Sequence, residues 1–95
     1  MTPRREPDPE TEALAAVIGR RIRALRRERR LTQEALGTRI GLDRIYIGEL
    51  ERGQRTNPTL GNLRRIANGL GIPVRDLFPA DDQPGTEAEN RGTAP

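Results

Sequence analysis

The chain has 95 residues with no Cys, His, Lys, Ser or Trp, and its 17 Arg against 14 Asp and Glu give a net charge of +3. Those absences rule out disulfides and thiol chemistry. They also remove the usual nucleophiles, the usual general base and the commonest metal ligands, so neither an enzyme nor a cofactor is expected.

The length allows one small domain with tails. No apolar run approaches the ~20 residues of a membrane span, and the N-terminus lacks a secretion segment, so a cytoplasmic protein with no membrane partner is expected. Charge is segregated along the chain. Between Glu12 and Phe78 stand 14 Arg and 7 acidic residues, a +7 segment, while the flanks carry −1 and −3. A basic core between acidic tails suits a polyanionic partner, with solvated helix faces as the other reading.

Residues 1–10 hold three Pro among alternating charges and are expected to form a disordered arm. A helical period begins at Thr11, with Leu14, Val17, Ile18, Ile22 and Leu25 on one stripe. The opposite face carries Arg20, Arg23, Arg27 and Arg30, expected in solvent. Glu12 near the start and Arg29 and Arg30 near the end suit the helix dipole.

The next stretch, Thr32 to Gly53, organises the chain. Thr32 can cap a helix on which Leu36 and Ile40 share a face four residues apart. Gly37 lies where steeply crossing helices leave no room for a side chain. Gly41 ends the helix in the left-handed conformation. Asp43 caps a second helix with Ile47 and Leu50 pointing inward. This is a helix-turn-helix, whose second helix typically enters the DNA major groove.

Arg52–Pro58 then reads as a loop, since Gly53 ends the helix and Pro58 forbids its resumption. Thr59 can cap a further helix whose buried face is Leu60, Leu63, Ile66, Ala67 and Leu70. Gly71 ends it. Pro73 starts a last short helix with Val74, Leu77 and Phe78 as its apolar side, and Pro79 stops it. From Ala80 to Pro95 the chain is polar and acidic and is expected to be disordered. The domain is therefore placed at 11–79, all-α with five helices. No repeat and no strand-like alternation is present.

The strings I-R-A-L-R-R-E-R-R-L-T-Q-E-A-L-G, G-L-D-R-I-Y-I-G-E-L-E-R-G and N-P-T-L-G-N-L-R-R-I-A-N-G-L-G-I-P-V-R-D-L-F resemble the Cro/phage-repressor type of helix-turn-helix regulator, the XRE family. The resemblance spans roughly residues 12 to 78. Within it, L-D-R-I-Y-I and E-R-G-Q-R are similar to the controller proteins of restriction–modification systems. Two departures are Gly37, where the family more often has alanine, and Gly48, where a small polar residue is usual. The resemblance implies a lambda-repressor-like domain, a homodimer paired through its last helix, and a salt bridge between Arg26 and Glu51. From spacing alone, those two residues simply border the core.

Phosphate contacts give affinity and base edges give specificity. On the recognition helix, Arg44, Ile45, Gly48 and Glu49 fall on or near the side away from Ile47 and Leu50. Arg44 can bond guanine O6 and N7 together, or else sit on a phosphate or in solvent. Ile45 is not needed by the core and fits a thymine methyl. Gly48 suits either close approach to the groove floor or packing against a neighbouring helix. Glu49 could accept from cytosine N4. Gln33, beside Thr32, forms a phosphate clamp with the free N–H groups of its helix start, a role the resemblance also implies. Tyr46, Arg52, Arg55 and Asn57 are further candidates for phosphate contact, Arg55 also for a contact in the groove.

The function expected is sequence-specific regulation of transcription by a homodimer on a two-fold, double-stranded DNA operator. With no room for a ligand domain, no small-molecule ligand is expected. A restriction–modification controller is favoured, with an antitoxin, a phage-type repressor or a protein-binding adaptor as alternatives. The dimer interface is placed at Leu70, Ile72, Val74, Leu77 and Phe78, against the alternative that Leu77 and Phe78 fold back on their own chain.

Overall fold

The computed structural model describes residues 7–80. Of the arm expected at residues 1–10, residues 1–6 lie outside that range, and Pro9 and Glu10 belong to the first helix instead of a disordered arm. Of the tail expected from Ala80, residues 81–95 lie outside it.

Among the described residues, four α-helices and one 3₁₀ turn follow one another: α1 (Pro9–Glu28), α2 (Gln33–Ile40), α3 (Arg44–Glu51), α4 (Leu60–Leu70) and the turn Val74–Leu77. The all-α class is as expected. The fifth element is a single 3₁₀ turn rather than a fifth α-helix. Phe78 precedes Pro79, which pushes it out of the helical region, and it is extended at φ −99° and ψ 147°. Four residues between Pro73 and Phe78 leave room for one tight turn.

α1 starts at Pro9, two residues before the apolar period begins. Asp8 is the reason. Its Oδ1 accepts from the Thr11 N–H at 2.7 Å, and Pro9 lacks the N–H that would otherwise need a partner. Thr32, Asp43 and Thr59 cap α2, α3 and α4 in the same way, each accepting from a backbone N–H two or three residues on. Gly41 ends α2 at φ 76°, and the N–H groups of Gly41 and Leu42 both reach the Gly37 carbonyl.

The core draws Ile18, Ile22 and Leu25 from α1, Leu36 from α2, and Ile47 and Leu50 from α3. α4 adds Leu63, Ile66, Ala67 and Leu70, and the 3₁₀ turn adds Leu77. Each fully buried side chain, such as Ile22 or Ile66, contributes about 1.5–3 kcal/mol. Leu60 departs from expectation: it is 80% exposed. As the first residue of α4, it projects before that helix meets the rest of the core.

Two glycines set how closely the helix-turn-helix packs. A Cβ on Gly37 would fall inside contact distance of the Leu42 carbonyl oxygen, so the turn, rather than the crossing helix, forbids a side chain there. A Cβ on Gly19 would collide with the backbone oxygens of Leu50 and Glu51, so α1 touches the end of α3 backbone to backbone. The arginine face of α1 is exposed as expected at Arg20, Arg23 and Arg27, and Arg30, exposed too, lies in the turn past the helix end at φ 57°. Two neighbouring arginines bond instead to later carbonyls, Arg21 to Asp76 at 2.9 Å and Arg29 to Leu70 at 2.6 Å.

Candidate nucleic-acid interface

Asp43 fixes where α3 begins, and that places Arg44 and Ile45 on its first turn. Both are exposed, Ile45 at 59%. Arg44 makes no hydrogen bond or ion pair among the described residues, so its five donors are available to a ligand. Ile47 and Leu50, on the other side, are buried. The outward stripe of α3 therefore carries one uncommitted guanidinium and one apolar side chain side by side.

Gly48 is not on that exposed surface. It is buried, and a Cβ there would meet Arg52 Nη1 at 3.2 Å and the Gln33 amide at 3.4 and 3.5 Å. The ends of the Gln33 and Arg52 side chains cover this glycine, and it is withdrawn as a base contact. The Gln33 side chain lies across the middle of α3, beside the stripe that runs from Arg44 through Gly48 to Arg52.

Gln33 is held there by a buried network. Arg26 donates from Nε to Glu51 Oε2 at 2.6 Å and from Nη2 to Glu51 Oε1 at 3.0 Å. Gln33 Nε2 donates to the same Oε1 at 3.1 Å, and Arg26 Nη1 reaches the Leu31 carbonyl at 2.7 Å. The ion-paired side chains are 11% and 3% exposed, so α1, the loop after it, α2 and α3 meet at one desolvated carboxylate. No buried side-chain nitrogen or oxygen among the described residues is left without a partner. At the α2 start, the Thr32 hydroxyl accepts from Ala35, while the Gln33 and Glu34 N–H groups precede the first intrahelical bond.

A second cluster forms where α3 gives way to the loop. Arg55 Nε donates to Glu49 Oε1 at 2.8 Å, and its guanidinium lies 4.9 Å over the Tyr46 ring. The Tyr46 hydroxyl accepts from Asn62 Nδ2 at 3.1 Å, which leaves its own hydrogen free to donate. Asn62 was not among the residues singled out by sequence. It lies 16 positions from Tyr46, and no local spacing connects them. Arg52 is exposed with Nη2 on Gln54 at 3.3 Å, and Asn57 is exposed in the same loop.

The interface expected at the C-terminal end is only partly available. Leu70 and Leu77 are 2% and 0% exposed, buried in their own chain, and they are withdrawn as dimer contacts. Leu77 folds back toward α1, the alternative left open by sequence. Phe78 is half-buried against the core and lines a small hollow with Leu14, Ile18 and Leu63. Ile72 and Val74 are half-buried like Phe78, and these three remain partly available. No described helix is long and apolar enough to cross a membrane.

Comparison with known proteins agrees with this geometry. The model of the helix-turn-helix family HTH_3 matches residues 22–77. The control protein C.MunI of Mycoplasma sp. is 43% identical over 62 residues, 64% of this chain and 82% of its own length. The immunity repressor of Bacillus phage phi105 is 46% identical over 57 residues, 60% of this chain, which span only 39% of the repressor. Among solved structures, the restriction–modification controller protein C.AhdI of Aeromonas hydrophila superposes with a TM-score of 0.65 at 45% identity, covering 67% of this chain and 96% of that one. The P22 c2 repressor, solved with a synthetic operator, gives a TM-score of 0.61 at 31% identity, covering 65% of this chain and 92% of that one.

Proposed function

The chain belongs to the helix-turn-helix HTH_3 (XRE) family of DNA-binding transcriptional regulators, and from that premise we propose that it reads a specific two-fold operator as a homodimer, in the manner of a restriction–modification controller. The observation that carries the reading is the first turn of α3: Arg44 uncommitted and Ile45 exposed, with the start of α2 beside them. Arg44 bonds a guanine edge and Ile45 packs on a thymine methyl. The free N–H groups of the α2 start, with Gln33 and Thr32, hold one phosphate. Tyr46, through its free hydroxyl hydrogen, and Arg52 and Asn57 serve the flanking backbone.

The controller reading is supported by the two controller relatives, both matched along most of their own length. The phage-type repressor is the second reading, favoured by the immunity repressor and the operator complex. The relatives named are regulators and repressors rather than enzymes, and the protein is assigned no catalysis. A two-fold dimer must set its recognition helices ~34 Å apart to enter successive major grooves.

Binding-site selection from randomised duplexes tests the reading, followed by titration on the selected site at two salt concentrations. A dimer neutralising ~6–10 phosphates loses ~10³–10⁵ in affinity between 50 and 200 mM salt. A flat salt response sinks the DNA reading. Genes for a methyltransferase and an endonuclease beside this one support the controller reading, and phage genes there support the repressor.

A further inference from the structure

We propose that Glu49 and Arg55 read a single C·G base pair as one preassembled unit, and that Asn62 on α4 is the residue that positions it. The proposal rests on the DNA-binding reading above and adds a base identity and a positioning residue to it.

Arg55 lies in the loop beyond α3, where a long side chain would normally lose much rotamer freedom on binding. Here it is already restrained. Its Nε is bonded to Glu49, its flat face lies on the Tyr46 ring, and the Tyr46 hydroxyl is bonded to Asn62. The chain of contacts runs from α4 to the edge of α3 without a gap. The Arg55 and Glu49 side chains remain 51% and 30% exposed, so the pair is held but still presented.

What the pair presents is specific. Glu49 Oε2 and the two Arg55 Nη groups make no bond among the described residues. An open carboxylate oxygen therefore stands next to an open guanidinium fork. In the major groove a C·G pair offers, in order, the cytosine N4 donor and the guanine O6 and N7 acceptors. Glu49 answers the donor and the Arg55 fork answers the two acceptors. An A·T pair has no two adjacent acceptors on one base for the fork. The pair is also neutral as a unit, so it adds to discrimination rather than to general attraction for phosphate.

The test is binding-site selection with the full chain, run for the wild type, Glu49→Gln, Arg55→Gln, Tyr46→Phe, Asn62→Ala and the double variant Tyr46→Phe/Asn62→Ala. Thermal melting is recorded for each. The wild type should prefer C·G at one position per half-site by about ten-fold or more. Glu49→Gln and Arg55→Gln should both flatten that same position and leave the position read by Arg44 intact. Tyr46→Phe and Asn62→Ala should each weaken the preference there several-fold, with the double variant no worse than either alone. Tyr46→Phe removes the same hydrogen bond without altering α4, so the test stands even if Asn62→Ala is poorly folded.

If Glu49 and Arg55 affect different positions or none, the pair does not read as a unit and the proposal falls. If Tyr46→Phe leaves the preference unchanged, or a folded Asn62→Ala weakens all sequences alike, Asn62 is not a positioning residue. Both results leave the DNA reading standing. A wild type that enriches no sequence overturns the DNA reading itself, and this proposal with it.

Discussion

Arg26 on α1 and Glu51 at the end of α3 form a two-pronged ion pair, at 2.6 and 3.0 Å, with both side chains nearly out of water. Gln33 adds a third bond to the same carboxylate, so the pair joins the helix-turn-helix to the first helix. Removing one partner strands a charge. Arg26→Ala and Glu51→Ala should each cost ~3–5 kcal/mol, close to the whole stability of a small domain. Thermal melting checks this. A Glu51→Ala protein that melts like the wild type but no longer binds DNA would move Glu51 to the recognition surface.

The glycines of the motif should respond in opposite directions to alanine. At Gly37 the obstacle is the Leu42 backbone carbonyl, which cannot swing aside, so Gly37→Ala should destabilise by about 1–3 kcal/mol. At Gly48 the nearest atoms are the tips of Arg52 and Gln33, at 3.2–3.5 Å, and they can give. Gly48→Ala should then approach the ~1 kcal/mol gain in helix propensity. Denaturant unfolding of both variants decides it; equal effects of the same sign refute the contrast.

Arg44 and Gln33 should separate specificity from affinity. Arg44→Ala should lose ~1–3 kcal/mol of discrimination at one base pair per half-site. Gln33→Ala should weaken all sequences about equally, and should also lower the melting temperature because it bonds Glu51. Selection experiments on both variants check this. If Gln33→Ala alone shifts the preferred sequence, the two roles are reversed.

A dimer through the C-terminal turn must use the partly exposed Ile72, Val74 and Phe78, because Leu70 and Leu77 are buried in their own chain. Leu77→Asp should therefore unfold the protein instead of dissociating it. Val74→Asp should keep the fold and yield monomers. Sedimentation at micromolar concentration, with circular dichroism as the control for folding, distinguishes them. A folded, dimeric Val74→Asp protein places the interface elsewhere.

The Thr11 backbone N–H holds the Asp8 carboxyl below the usual carboxylate range. A carboxyl depressed in the folded state stabilises above its unfolded pKa and loses that contribution as pH falls through the folded value. The first turn of α1 should therefore fray on acidification below about pH 4, near the ordinary Asp pKa. Exchange at the Thr11 amide reads this directly. Asp8→Asn, which keeps an acceptor but cannot titrate, should abolish the Asp8-linked part of the pH dependence.

What the sequence determined by itself was whatever acts within a few residues. Thr32, Asp43 and Thr59 cap because their side chains reach an N–H two or three positions on, and Gly41 ends α2 because of its own φ. The buried stripes were legible for the same reason, since periodicity is a local property. Exposed Ile45 followed from its ~200° separation from Ile47 around the helix, and Arg44 from its place on the first turn. The Arg26–Glu51 pair was legible only through family resemblance, since 25 residues separate its partners. The tertiary structure decided the rest. Leu60 and Leu77 both lay on apolar stripes, yet one is 80% exposed and the other fully buried, because a stripe does not say where a neighbouring helix stops. Gly48 went under Gln33, and Asn62 took the Tyr46 hydroxyl, through contacts between helices whose relative placement no local pattern encodes.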